Sequence, residues 1–246
     1  MDGIDNVRFQ NARARALGEE TSEKGIGTLS EKLIHRILKL YYEPDEGCHE
    51  IEYLGSVADI KNENGIIEIQ TRAYQNLKPK LKKFLENDRV TVVCPVLNEI
   101  KISTYDKATG EITTRKSPRK KGLADAAIEL YRIKEFLTDA YLTVKLVFLS
   151  VEDFREKNED NKKRPVRDTR IERIPNRIIS EIPLRTKEDY RIFLPDTLPE
   201  EFLAKDFYKA VRSRTRYTYY ALKLCEYLGF IECAGKEGRA FVYRRI

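Results

Sequence analysis

The chain's 246 residues, 41% hydrophobic and 35% charged, suit one large domain or a domain of about 150–180 residues with a small module attached. Lys plus Arg number 46 against 40 Asp plus Glu, a modest +6 that is unevenly spread. Four scattered cysteines without a C-x-x-C pair exclude a disulfide framework and a zinc finger, and no apolar run approaches the ~20 residues that span a bilayer. The opening Met-Asp-Gly-Ile-Asp lacks the regions of a signal peptide, so a soluble cytoplasmic protein with no membrane partner is expected.

Residues 1–24 are polar with alternating charge, which reads as a helical arm or a partly ordered leader. Ser30 then caps an amphipathic helix to about Tyr42, with Leu33, Ile34, Ile37, Leu38 and Tyr41 as its core stripe. Short strands are expected at Glu50–Leu54, Ser56–Lys61 and Ile66–Thr71, the last two joined by the hairpin signal Asn62-Glu63-Asn64-Gly65. A helix rich in Lys and Leu follows from Tyr74 to Asn87, and Val90–Val96 is a continuous apolar strand of the kind buried on both faces. Lys101–Tyr105 and Glu111–Arg115 make a further hairpin, and the basic stretch from Arg115 to Lys121 is an exposed loop. A helix over Ala124–Thr138 and a strand over Leu142–Leu149 complete a first domain, an α/β unit with a mixed sheet.

Residues 155–175 are highly charged and read as a long connector with one exposed hairpin. Beyond Arg185 the pattern changes to short helices at Thr186–Leu194, Lys205–Arg212 and Thr215–Leu228. Gly229 ends the last of them, and a hairpin of Phe230–Cys233 and Ala240–Arg244 turns around Gly235-Lys236-Glu237-Gly238.

The constellation that carries chemistry is Glu31, Asp59, Glu68 and Gln70. Only two histidines, His35 and His49, are present, so histidine-based catalysis is nearly excluded and carboxylates are left as its carriers. Glu68 and Gln70, two residues apart on one strand, share a face, and the short turn brings Asp59 beside Glu68. Glu31 flanks the stripe of the preceding helix and can reach the same rim. Phosphodiester cleavage needs a divalent cation to polarise the phosphate and activate a water, and two or three carboxylates suffice for Mg²⁺, which keeps several waters. The plain alternative is surface charge around an Asn-Gly hairpin. Against it stands Glu68 inside Ile66-Ile67-Glu68-Ile69, where a carboxylate is out of place unless paired or metal-bound. Glu31, in the first helical turn, has the plainer role of complementing the helix dipole.

These residues resemble the PD-(D/E)XK nuclease superfamily, whose pattern is a helix glutamate, a strand aspartate, then (D/E)-x-K on the next strand and a helix. The resemblance covers roughly residues 25–150, on Glu31, Asp59 and Glu68-Ile69-Gln70. It implies that Asp59 and Glu68 bind Mg²⁺, with Mn²⁺ as the alternative ion, and that Glu31 is an outer or additional ligand. Gln70 stands where the family usually has lysine and Ala58 where it has proline, which leaves the water-orienting role open.

The C-terminal segment resembles the winged-helix form of the helix-turn-helix, on Phe202-Leu203-Ala204-Lys205-Asp206-Phe207 and Leu224–Ile231. Periodicity gives a core face of Tyr217, Ala221, Leu224, Cys225 and Leu228 and a second face of Arg216, Tyr219 and Lys223, with Arg212 and Arg214 at the helix start. Lys236 and Arg239 on the wing, with Arg244 and Arg245 beyond, are placed to meet backbone phosphates. Residues 184–246 hold 13 Lys plus Arg and 9 Asp plus Glu, a local +4. The alternative is a winged helix used for protein contact, with the tyrosines as its interface.

The expected architecture is thus a polar arm over 1–24, a restriction-endonuclease-like domain over 25–183 with a basic connector, and a winged helix over 184–246. The expected function is a Mg²⁺-dependent endonuclease of restriction type acting on double-stranded DNA, as a homodimer if both strands of a symmetric site are cut. The alternatives are a transposon-end nuclease, a non-catalytic DNA-binding regulator on a degenerate nuclease fold, and a protein-interaction adaptor.

Overall fold

A computed structural model describes residues 4–20, 29–118, 121–158, 168–213 and 215–246. Among these, seven strands form one mixed sheet in the order β1 (His49–Tyr53), β2 (Ser56–Asn62), β3 (Gly65–Ile69), β4 (Val90–Tyr105), β6 (Leu142–Glu156) and β7 (Thr169–Leu184), with β5 (Ile112–Lys116) paired beside the far half of β4. β4 runs parallel to both β3 and β6, and the other pairings are antiparallel. Helices flank the sheet, as the alternating pattern predicts.

The apolar run at the start of β4 explains the layering. Val92, Cys94 and Val96 point to one face, where α3 (Lys78–Leu85) and α4 (Leu123–Leu130) pack with Leu81, Phe84 and Leu130. Val93 and Leu97 point to the other, beneath α1 (Asn6–Glu20) and α2 (Leu29–Tyr42). Each fully buried Leu, Val or Phe of these layers contributes roughly 1.5–3 kcal/mol.

α2 buries all of its expected stripe. The Asn-Gly hairpin forms, with Asn62 opposite Gly65. The N-terminal segment is not a free arm. Phe9, Ala12 and Ala16, at helical spacing, are buried against α2 and β7, and Gln10 and Arg13 donate to the carbonyls of Asn176 and Pro175 on β7. Its small apolar residues are sparse enough to look polar by composition.

Both long strands outrun their apolar runs. β4 continues from Val90 through Lys101–Tyr105 without a break, and β6 continues to Glu156. The connector ends in β7, a strand of 16 residues paired with β6 over most of its length, while residues 159–167 lie outside the described part. Alternating charged and apolar residues are what a strand with one wetted face needs. Arg115 and Lys116 belong to β5 and not to a loop.

After β7 come a 3-10 turn (Lys187–Phe193), β8 (Glu201–Leu203), α5 (Ala204–Val211), α6 (Thr215–Tyr227), β9 (Ile231–Glu237) and β10 (Ala240–Arg245). The three strands form a separate sheet in the order β8-β10-β9. Gly229, at φ +68°, ends α6, and Ala221, Leu224, Cys225 and Leu228 are buried as the periodicity predicts, with Tyr217 partly so. Leu222 and Thr218 are buried too, because α6 also packs on α4, where the rings of Tyr131 and Tyr220 lie 5.5 Å apart. One hydrophobic cluster therefore runs from the large sheet through α4 and α6 to Tyr243.

Candidate active site

The β2–β3 ladder is paired at Asn62–Gly65, Lys61–Ile66 and Ile60–Ile67 and stops there. β2 stays with β1 down to Ser56, and β3 stays with β4 as far as Ile69. The two strands part, and Asp59 and Glu68 stand at the fork. Backbone N–H groups freed by the parting need acceptors. The Ile69 N–H donates to Asp59 Oδ2 at 2.8 Å, and the Asp59 N–H donates to Glu68 Oε1 at 3.3 Å. The Asn-Gly turn sets the register that puts the two carboxylates side by side.

Two cations or potential cations approach from the flanking helices. Lys80 of α3 donates through Nζ to Glu68 Oε2 at 2.8 Å, and His35 of α2 sets Nε2 3.0 Å from Asp59 Oδ2. Lys80 lies three residues after Leu77 and four before Phe84, both buried, so it rides the flank of a packed stripe. His35 is likewise beside Ile34 and Leu38 on α2. One turn further, Lys39 is buried and donates to Glu50 Oε1 at 2.7 Å.

The Glu68 side chain is 1% exposed, and its carboxyl is pushed up to about 7, first by burial and then by the charge of Asp59. Burial also raises Asp59, but the His35 contact and the Ile69 N–H outweigh it and hold that carboxyl below its ordinary value. One carboxylate is firmly ionised and the other is poised near neutrality.

The sequence-derived set is only partly assembled. Asp59 and Glu68 meet. Gln70 does not join them: its side-chain amide donates to the Arg72 carbonyl, and its backbone carbonyl accepts from the Tyr74 hydroxyl. Glu31 sits in the first turn of α2, and its side chain lies outside the described part. Two residues were missed. His35 is one helical turn after Glu31, so the i, i+4 relation was available to find it, and its contact qualifies the exclusion of histidine chemistry. For Lys80 the only signal is a lysine on the flank of the next helix. No group of three or more His, Cys, Asp or Glu among the described residues is already gathered to hold an ion.

In the C-terminal unit, Arg216 and Tyr219 are exposed on α6, and Arg212 is exposed at the left-handed end of α5. Arg214 lies outside the described residues. Lys223 is half-buried and donates to Glu226 at 2.6 Å, which turns it away from a free exposed face. On the projecting β9–β10 hairpin, Lys236 lies over the Phe241 ring at 4.8 Å and Arg239 is exposed. Arg244 is ion-paired with Glu232, and Arg245 donates to the carbonyls of Pro195 and Leu198. Those two arginines hold the fold together.

The family described as "Domain of unknown function (DUF8091)" matches residues 32–185, and the chain belongs to it. That span starts in α2 and stops just after β7, so it contains His35, Asp59, Glu68 and Lys80. The chain is also 28% identical over 221 residues to an uncharacterized protein of Treponema pallidum (strain Nichols), covering 89% of this chain and 87% of the relative. No solved structure matches. Among the described residues, no helix is long and apolar enough to cross a membrane.

Proposed function

We propose that the chain is a metal-dependent endonuclease acting on double-stranded DNA, with a PD-(D/E)XK-like core and a C-terminal winged helix that positions the duplex. The observation that carries this reading is the pair Asp59 and Glu68, set at a strand fork with Lys80 on one carboxylate. The donor set fits a hard divalent cation. Two neighbouring carboxylates, one pushed up to about 7 partly by the other's charge, are what a dication relieves.

When bound, Mg²⁺ or Mn²⁺ supplies phosphate polarisation and a water of lowered pKa. Asp59 and Glu68 would hold it. Lys80, from α3 instead of the strand, brings the ammonium that Gln70 lacks. Released from Glu68, it can donate to a phosphate oxygen or orient a water.

The winged-helix reading is supported by the order of elements from the 3-10 turn through β10, and by the sheet order β8-β10-β9. Arg212, Arg216 and Tyr219 would face the duplex, with Lys236 and Arg239 on phosphates. Cleavage of both strands of a symmetric site would require a homodimer, and restriction or transposon-end processing are the settings this chemistry suits.

Incubation of plasmid DNA with the protein and Mg²⁺ or Mn²⁺ should give cut ends. Asp59→Ala and Glu68→Ala should each abolish cutting while leaving DNA binding within about twofold, since neither lies among the proposed contacts. Cleavage that persists in both variants rejects the assignment.

A second reading has its own support. Lys80 and His35 already engage both carboxylates, so a DNA-binding regulator on the same fold needs no metal. Salt-dependent DNA affinity with no metal binding would select it.

A further inference from the structure

We propose that His35 is a nitrogen ligand at the Asp59–Glu68 site, and that the site accordingly selects a borderline transition ion, Mn²⁺, over Mg²⁺. The inference rests on the metal-dependent reading above and deepens it.

The geometry is the first argument. His35 Nε2 and Asp59 Oδ2 are 3.0 Å apart. Two donors at adjacent corners of an octahedral ion, each about 2.1 Å from it, are themselves about 3.0 Å apart. The pair is therefore spaced to share one ion, which would take the place of the Nε2 proton. Asp59 is ionised and held by the Ile69 N–H, and its side chain is 18% exposed against 30% for His35, so an ion can reach the pair from solvent.

The neighbours decide which donor comes third. Glu50 feels the charges of Asp59 and His35, but Lys39 engages it and lowers its carboxyl. Glu68 has one oxygen on the Asp59 N–H and the other on Lys80, and joins once Lys80 moves off. Gln70 is turned to the Arg72 carbonyl. Among the described residues around Asp59, the imidazole is the remaining donor poised on the same oxygen. Mg²⁺ takes oxygen ligands in near-ideal octahedra, whereas imidazole suits the first-row transition ions.

The full chain would be titrated calorimetrically with Mn²⁺ and Mg²⁺, and the Mn²⁺ complex examined by electron spin-echo modulation. The expected result is Mn²⁺ bound about tenfold or more tighter than Mg²⁺, with modulation from a coordinated ¹⁴N that changes when the histidines are labelled with ¹⁵N. His35→Ala should lose that modulation and about tenfold in Mn²⁺ affinity while Mg²⁺ stays within about twofold. His35→Asp should restore binding with the preference moved towards Mg²⁺. Wild-type Mn²⁺ without nitrogen modulation, or an unchanged ion ratio in His35→Ala, overturns the ligand role and leaves the nuclease reading standing. The labelled wild type decides the question even if a variant fails to fold. Binding of neither ion, or undiminished binding by Asp59→Ala, overturns the metal-dependent reading itself.

Discussion

Glu68 concentrates the chemistry of the site because its surroundings oppose its charge. Its carboxyl is carried from an ordinary 4.5 up to about 7, first by burial and then by Asp59, with Lys80 pulling the other way. In the folded protein it keeps a proton that the unfolded chain releases between those values. Its favourable contribution to folding is thus present below about 4.5 and lost as the pH rises through about 7. Glu68→Gln removes that titration. Without divalent ions it should gain on the wild type between pH 5 and pH 8, by on the order of 2 kcal/mol, read from urea unfolding. Parallel pH profiles for the two proteins would show that the carboxyl is not held up. Metal affinity should run the opposite way, weakening as the pH falls below about 7, because the ion must displace the proton.

At the level of elements, the fork depends on the hairpin that precedes it. Gly65 has φ +120°, and a Cβ there would lie 2.5 Å from the Arg89 carbonyl oxygen. Gly65→Ala combines backbone strain with a backbone clash and should cost on the order of 2–3 kcal/mol, with loss of metal binding as the Asp59–Glu68 register slips. Calorimetric unfolding with a metal titration checks both. The outer half of β6 and β7 depends on Asp153. Its side chain is 1% exposed and is surrounded by Arg155, Arg170 and Arg173. Asp153→Asn leaves three guanidinium groups without their shared anion and should destabilise by on the order of 3 kcal/mol. A change below about 0.5 kcal/mol would mean that the cluster is merely solvated charge. β7 is poorly suited to pairing with a second copy. Pro175 and Pro183 interrupt it, its register with β6 shifts, and α1 side chains occupy two of its carbonyls.

For the whole molecule, the decisive feature is the continuous core through α4 and α6. The C-terminal unit is bonded to the large sheet by burial and not merely tethered, so the full chain should unfold in one calorimetric transition. Two separated transitions would contradict that coupling. If the unit meets DNA, its orientation to the Asp59–Glu68 fork is fixed before binding, and the exposed wing is the part free to track phosphates. Lys236→Ala with Arg239→Ala should lower the salt slope of DNA affinity by about 2. An unchanged slope removes the wing from the interface.

Much of this was legible in the sequence because it is local. The stripe of α2, the Asn62–Gly65 hairpin, the doubly buried start of β4 and the core face of α6 follow from spacings of two to four residues. A carboxylate inside an apolar strand marked Glu68 for the same reason. Other features depended on partners far along the chain. Alternating charges in 155–184 become a strand only when β6 is there to pair with. Phe9, Ala12 and Ala16 become a core face only when α2 covers them. His35 reaches Asp59 across 24 residues and Lys80 reaches Glu68 across 12. The sequence by itself determined which carboxylates stand at the fork. Only the packing of α2 and α3 over it decided which histidine and lysine meet them, because that depends on helix docking and not on spacing along any one element.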